Sequence, residues 1–323
     1  MGAVHKPLVS IIMPVYNAFN YIETAINSIL AQTYKNWELL ILDDFSRDGT
    51  LHKIESFRRD IRVSIYKNKH NIGYLKSCNK LFSLAKGDLI TFQDADDWSD
   101  PQRIASQVEV FDKNPNIGIC GTWAKYYTGD GKPFKEKKPA IDHDTILERI
   151  YNESQFCGAS IMIKREVLQT AGYYKVFFDR IGNEDYDWSM RIIEQYQATN
   201  IPEFLYNVRV VKGSVSKKLG NHRKFFSNKT AVFLAMERQR YGMDSLNVQD
   251  SVQNTPLDFY LRELDTPYLA DPSKKYREAS FVNFYAGIFN QSLVYALLAI
   301  KTKPFKLINW KAFIAVLLKG FTK

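Results

Sequence analysis

Leu89-Ile90-Thr91-Phe92 is a short β-prone run that stops at three carboxylates, Asp94, Asp96 and Asp97, packed within four residues. Such a run reads as a buried strand of a mainly parallel sheet, and Pro101 ends any ladder beyond it. In open α/β sheets the ligand crevice lies past the carboxyl ends of the strands, where these acids fall. Carboxylates this close repel one another, and a hard divalent cation with oxygen ligands relieves the repulsion. The alternative is an acidic turn solvated at a strand end. The rest of the chain decides between them.

The strand does not stand alone. Leu8 to Pro14 is a β-rich run closed by proline, followed by a Val15-Tyr16-Asn17 loop. Apolar residues at Ile22, Ile26, Ile29 and Leu30 predict an amphipathic helix over 21–33 with Glu23 near its start. Trp37 to Leu42 predicts a second strand, stopped by the turn residues of Asp43-Asp44-Phe45-Ser46-Arg47-Asp48-Gly49-Thr50. A helix over 51–57, a strand over 62–66, a turn at Asn71-Ile72-Gly73 and a helix over 74–85 complete the approach to Leu89. Alternating strands and helices are the pattern of a doubly wound α/β unit. Right-handed crossovers bring the loops after the first, second and fourth strands to one edge. No glycine-rich dinucleotide fingerprint follows the first strand, which counts against a dehydrogenase.

In order and spacing, these segments resemble the nucleotide-sugar-binding half of a family 2 glycosyltransferase, a GT-A fold. The matching pieces are Val9 to Asn17, Ser28 to Tyr34, Glu38 to Thr50, the pair Asn71 and Gly73, and Asp94-Ala95-Asp96-Asp97. The resemblance implies a nucleotide-sugar site of Pro14, Val15, Tyr16, Asn17, Glu23, Asp44, Asn71, Gly73, Lys76, Asp94, Ala95 and Asp96. A carboxylate at Asp44 suits the ring N–H of uracil because it only accepts hydrogen bonds. The resemblance also implies a metal held by Asp94, Asp96 and Asp97, and oxygen ligands favour Mn or Mg over zinc. Lys76 and Arg103 are candidates to add positive charge near the phosphates, or to sit solvated at the surface. Cys78 stands where relatives often carry an arginine.

Beyond Pro101 the sequence predicts a helix over 103–111, a strand over 117–123 and an exposed basic hairpin over 128–138. A strand over 156–164 and a helix over 165–170 follow, with Gly158 leaving room for a sugar. The acids of Glu184-Asp185-Tyr186-Asp187 precede an apolar helix face, where acids complement the helix dipole. By resemblance, Asp185 is the general base that takes the acceptor proton and Glu184 orients the acceptor. Asp187 is expected to be structural. Relatives often place a histidine where Val211 stands, so either Arg209, Lys212 or His222 substitutes, or the metal has fewer protein ligands.

The chain of 323 residues, 45% hydrophobic and 24% charged, is ample for a large domain with an appendage. The expected division is a GT-A domain over 1–216 and a helical C-terminal region over 217–323. Residues 225–241 have helical spacing, 246–272 read as a proline-bearing linker with a short helix over 257–264, and 281–300 are strongly apolar. Three cysteines without metal-ligand spacing fit a reducing compartment. The polar start, Met1 to Pro7, is too short for a signal peptide. The charge of +9 is uneven, because residues 281–323 hold six lysines, no arginine and no acid. Such a tail suits the interface of an anionic membrane, or pairing with a second subunit. No nucleic-acid reader motif accompanies it.

The expected protein is therefore an inverting, metal-dependent glycosyltransferase. It would move a sugar from a UDP-sugar to a glycan or lipid-linked glycan acceptor in surface polysaccharide synthesis. Its expected place is cytoplasmic, either free or peripheral on the inner face of the cytoplasmic membrane. The alternative is a non-catalytic nucleotide- or glycan-binding protein on a degenerate transferase fold.

Overall fold

The structure is a computed structural model that describes residues 6–210, 220–248 and 253–320. The chain divides into two compact units, residues 1–179 with 184–209, and residues 180–183 with 210–323. The division expected after residue 216 falls outside the described residues.

In the first unit the elements run β1 (Val9–Val15), α1 (Ile22–Leu30), β2 (Trp37–Asp43), α2 (Thr50–Glu55), β3 (Val63–Lys67), α3 (Tyr74–Leu84) and β4 (Leu89–Phe92). There follow β5 (Trp98–Ser99), α4 (Arg103–Lys113), β6 (Ile117–Thr128), β7 (Pro133–Lys137), α5 (His143–Arg149), β8 (Met162–Lys164), α6 (Val167–Thr170), α7 (Glu184–Ile193) and β9 (Gln197–Val210). One mixed sheet carries them in the order β3-β2-β1-β4-β8-β6-β9-β5, with β7 paired to β6. The pairs β1–β2, β1–β4 and β2–β3 are parallel, whereas β8 lies antiparallel to β4 and β6. The fold is thus α/β of the GT-A kind, its parallel part confined to the first four strands of that order.

Successive strand residues face opposite sides. Ile11, Met13, Leu39 and Ile41 meet Ile22, Ile26 and Ile29 of α1 and Ile104 and Val108 of α4 on one side. On the other, Phe92 packs with Phe82 of α3, Trp188 of α7 and Tyr174, their ring centroids 5.1–6.1 Å apart. Edge-to-face aromatic clusters of this sort add to plain area burial. They fix α3 and α7 against the end of β4. Only Met162–Lys164 of the strand expected over 156–164 pairs as strand, because Gly158–Ser160 forms a 3-10 turn closed by Ser160 N–H to Cys157 O at 2.8 Å. The basic hairpin is present as β6–β7.

The second unit is helical: α8 (Ser227–Tyr241), α9 (Ser245–Val248), α10 (Pro256–Ala270), α11 (Lys274–Tyr285), α12 (Phe289–Thr302) and α13 (Leu307–Gly320). The linker expected over 246–272 is corrected by α10. Thr255 caps it by accepting from Asp258 N–H at 3.2 Å, and Pro256 takes the first turn, where its missing N–H is no loss. The apolar stretch 281–300 is two helices, broken at Gly287 with φ +76°. Among the described residues no helix is long and apolar enough to cross a membrane.

One glycine decides how β1 and β4 meet. A Cβ on Gly87 would lie 2.6 Å from Leu8 O and from Ser10 N, both backbone atoms that cannot yield separately. Gly87→Ala is therefore expected to destabilise the protein by about 1–3 kcal/mol, measured as a lower urea midpoint at unchanged m-value.

Candidate active site

The ends of β1, β2 and β4 lie side by side, Val15 opposite Asp43 and Ile12 opposite Phe92, so the loops that follow them share one crevice. The first two loops are tied together. Asn17 N–H donates to Ser46 Oγ at 2.9 Å, and Asn17 Oδ1 accepts from Arg47 N–H at 2.9 Å. Asn17 and Phe45 both adopt positive φ, at 50° and 67°. Strained residues of this kind gather where surrounding contacts over-determine the backbone. Pro14 and Val15 are buried at the strand end, and Tyr16 projects at the rim.

Asp44 is more committed than its sequence position suggests. Its carboxylate accepts from Asn68 Nδ2 at 2.9 Å, Ile72 N–H at 2.8 Å and Gly73 N–H at 2.8 Å. Asn71 Nδ2 donates to Asp44 O at 3.1 Å. Asp44 thereby holds the 71–73 loop onto β2, with lone-pair capacity left for one further donor. Asp43 is buried with Oδ1 unpartnered among the described residues.

The strand-end acids do not act as three equals. Tyr74 O–H donates to Asp94 Oδ1 at 3.0 Å, and Asp94 N–H donates to the Tyr206 hydroxyl oxygen at 3.1 Å. Asp97 is buried and spent, accepting from Arg209 N–H at 2.7 Å and from the Tyr206 hydroxyl. It pins β9 to the acidic turn. Arg209 also reaches Asp96 O with Nε at 3.2 Å, and its guanidinium lies 4.8 Å from the Trp98 ring centre. Among the described residues no three His, Cys, Asp or Glu side chains are gathered as a metal cluster. Asp94 and Asp96, half-buried on either side of Ala95, are less enclosed than Asp97.

Glu184 and Asp185 open α7, whose position the aromatic cluster fixes. Trp188 Nε1–H donates to Gly172 O at 2.7 Å. Asp187 is structural, paired with Arg191 at 2.9 Å in the interior. The space at Gly158 is taken by Asp185 and not by a sugar: a Cβ there would lie 2.1 Å from Asp185 Oδ2. Lys137, at the end of β7, donates to Phe156 O and stands within electrostatic reach of Asp185.

These acids raise one another's proton affinity. Burial, then the Asp96 charge, pushes Asp94 up to about 7, against the opposing Tyr74 hydrogen bond. Burial, then Asp185 and Asp94, pushes Glu184 up to about 8. Burial also raises Asp96 and Asp185, opposed by Arg209 and Lys137 respectively. The folded state therefore holds protons between about pH 4 and 8 that the unfolded chain has released. Stability from this source is present in mild acid and lost as pH rises through 7 and 8. The metal-free protein is expected to melt at higher temperature at pH 5.5 than at pH 8, and Glu184→Gln should flatten that difference.

Several of the other expected residues have partners of their own. Glu23 is exposed and pairs with Lys53 at 3.7 Å. Lys76 pairs with Asp179 at 3.0 Å beside Gly73. Arg103 is neither a phosphate ligand nor a surface residue. It is 0% exposed, donates to Thr91 Oγ1 at 3.0 Å and Phe92 O at 2.9 Å, and so braces β4 from beneath. Cys78 is fully buried on α3, where burial raises its thiol far up. Val211 and Lys212 fall outside the described residues, and His222 is held in the second unit by Asp265 at 2.7 Å. Sequence reasoning missed Tyr74, Tyr206 and Lys137, whose only signal is an ordinary residue in a helix or strand.

Residues 10–172 match the glycosyl transferase family 2 profile. EpsE of Bacillus subtilis, named as a glycosyltransferase, is 33% identical over 206 residues, 63% of this chain and 73% of that one. WfaP of Escherichia coli is named as a UDP-Glc:alpha-D-GlcNAc-diphosphoundecaprenol beta-1,3-glucosyltransferase. It is 28% identical over 219 residues, 65% of this chain and 80% of that one. In fold the chain resembles S. aureus TarS in complex with UDP-GlcNAc, with TM-score 0.60 and 18% identity over 96% of this chain and 79% of that one. It also resembles the mannosyltransferase PcManGT from Pyrobaculum calidifontis in complex with GDP-Man and Mn2+, with TM-score 0.55 and 18% identity over 98% and 88%. The profile runs through the first, second and fourth strands to Gly172 and so spans half the chain, which therefore belongs to glycosyl transferase family 2.

Proposed function

We propose that the protein transfers a sugar, with inversion, from a UDP-sugar to a lipid-linked glycan in surface polysaccharide synthesis. What supports this is the nearness of two acid groups, Asp94 with Asp96 after β4 and Glu184 with Asp185 at the start of α7, within electrostatic reach of one another. One group suits a leaving diphosphate and the other a general base, the pairing that inverting transfer needs. The UDP preference and lipid-linked acceptor follow from what the relatives' names say they use.

Asp94 and Asp96 would hold a hard cation such as Mn or Mg, because an added positive charge would remove the repulsion between them. Such a cation supplies charge that stabilises the departing diphosphate. Asp185, its proton affinity raised by burial, takes the proton from the acceptor hydroxyl as that oxygen bonds to the anomeric carbon. The bond from that carbon to the diphosphate breaks on the opposite side, and the nucleoside diphosphate leaves. Glu184, protonated near neutral pH, donates a hydrogen bond that orients the acceptor. Lys137 holds Asp185 within a useful range by opposing the effect of burial.

The test is a panel of UDP-, GDP- and dTDP-sugars scored for release of the nucleotide, with Mn, Mg or chelator. Release from one UDP-sugar is expected, lost with chelator and in Asp96→Ala. Asp185→Asn is expected to lower turnover by about 10²–10⁴-fold with nucleotide binding retained. Absence of both turnover and nucleotide binding would sink the reading. In Lys137→Met the acid limb of the kcat/KM pH profile is expected to move to higher pH, because an opposing cation is gone.

A further inference from the structure

The second unit has an apolar core of Phe226, Leu234, Leu257 and Leu261, and beside it α11, α12 and α13 enclose a polar network. Its interior holds Asp271, Arg277, Asn309, Ser280 and Ser292, all buried. Arg277 pairs with Asp271 at 2.6 Å and donates to Asn309 Oδ1 at 2.6 Å, while Asn309 Nδ2 donates to Ala299 O at 2.9 Å. Ser280 and Ser292 donate to each other's carbonyl oxygens at 2.9 and 2.8 Å. The inward face of α13 is Asn309, Ala312 and Val316, and that of α12 includes Ser292, Ala296 and Ala299. The large apolar side chains point the other way. Leu307, Trp310, Ile314 and Leu318 follow one exposed helical stripe on α13, and Val294 and Leu297 expose a second on α12. Between the helices Phe305 is 99% exposed.

A soluble helix turns such a stripe inward, so this face has an occupant. Charge identifies it. Lys301 and Lys311 are exposed beside the apolar stripes, whereas Lys303 and Lys306 on either side of Phe305 are turned to Ala270 O and Asp271, and no acid follows Glu278 in the sequence. A second copy meeting the same face would bring lysines against lysines with no acid to pair. An anionic lipid surface offers both what the apolar stripe needs and what the lysines need. Helices of 14 residues are too short to span a bilayer.

We propose that the α12–α13 face, centred on Phe305, lies in the interface of a membrane containing anionic lipid. This does not rest on the reading of the crevice. The test is sedimentation of the full chain with vesicles of phosphatidylglycerol and phosphatidylcholine, and with phosphatidylcholine alone. Pelleting with the anionic vesicles, weakened by salt, is expected. The paired change Phe305→Ser with Ile314→Ser, and separately Lys301→Gln with Lys311→Gln, should each lower the partition about tenfold or more. Both variants should keep the wild-type thermal transition, and the exposed lysine pair gives a readout even if the apolar pair disturbs folding. Wild type remaining in the supernatant, or both variants pelleting undiminished, would overturn the proposal. So would sedimentation velocity showing that the face joins two copies, with Phe305→Ser, Ile314→Ser monomeric.

Discussion

Mutual repulsion among half-buried carboxylates is the constraint around which the first unit is arranged. Asp94, Asp96, Glu184 and Asp185 lie within electrostatic reach as a group, and each raises the proton affinity of another or is raised by burial. Nothing about stability alone calls for such a gathering, which works against folding above neutral pH. The surroundings hold it in place. Tyr74 supplies a hydrogen bond to Asp94, Arg209 and Lys137 supply nearby positive charge, and Asp97 with Tyr206 locks β9 against the acidic turn. Beneath them Arg103 ties the end of β4 through Thr91 and Phe92, and Phe82, Phe92, Tyr174 and Trp188 clamp the helices that bring the second acid pair. A site of this kind depends on rigid support, because small displacements change both charge interaction and reach.

The second unit solves an opposite problem. The polar residues around Asp271 and Asn309 satisfy one another: Asp271 serves Arg277, Lys306 and Ser273, and Asn309 bridges two helices and the loop before α13. A connected network of that kind meets the demand that buried polar groups be paired. On α12 and α13 it leaves several large apolar side chains to the outside. The two units thus place their chemically expensive features differently, charges inside one and apolar surface outside the other.

Much was legible because it is local. Strand and helix alternation, the acids after β4, the Glu184-Asp185 pair at a helix start and the basic hairpin are all written within a few residues of one another. Proline misled the reading of 246–272, since Pro256 there begins a helix and Pro267 sits within it. Arg103 looked like a phosphate or surface cation because nothing near it in the chain reveals that its helix turns it under β4. Gly158 looked like room for a sugar, whereas the space belongs to a side chain 27 positions further on.

The sequence by itself determined the α/β class, the strand-end acids and the acid pair on α7, because periodicity and residue type act over short range. Only the tertiary structure decided which acids are free and which are spent. Asp44 and Asp97 are largely consumed by backbone N–H groups, at 28 and 112 positions' separation for Ile72 and Arg209. It alone showed that Lys137 opposes Asp185 and that the tail turns its apolar faces outward. Hydrogen bonding, burial and charge interaction depend on distance in space, and folding sets that distance between residues whose sequence neighbours carry no trace of it.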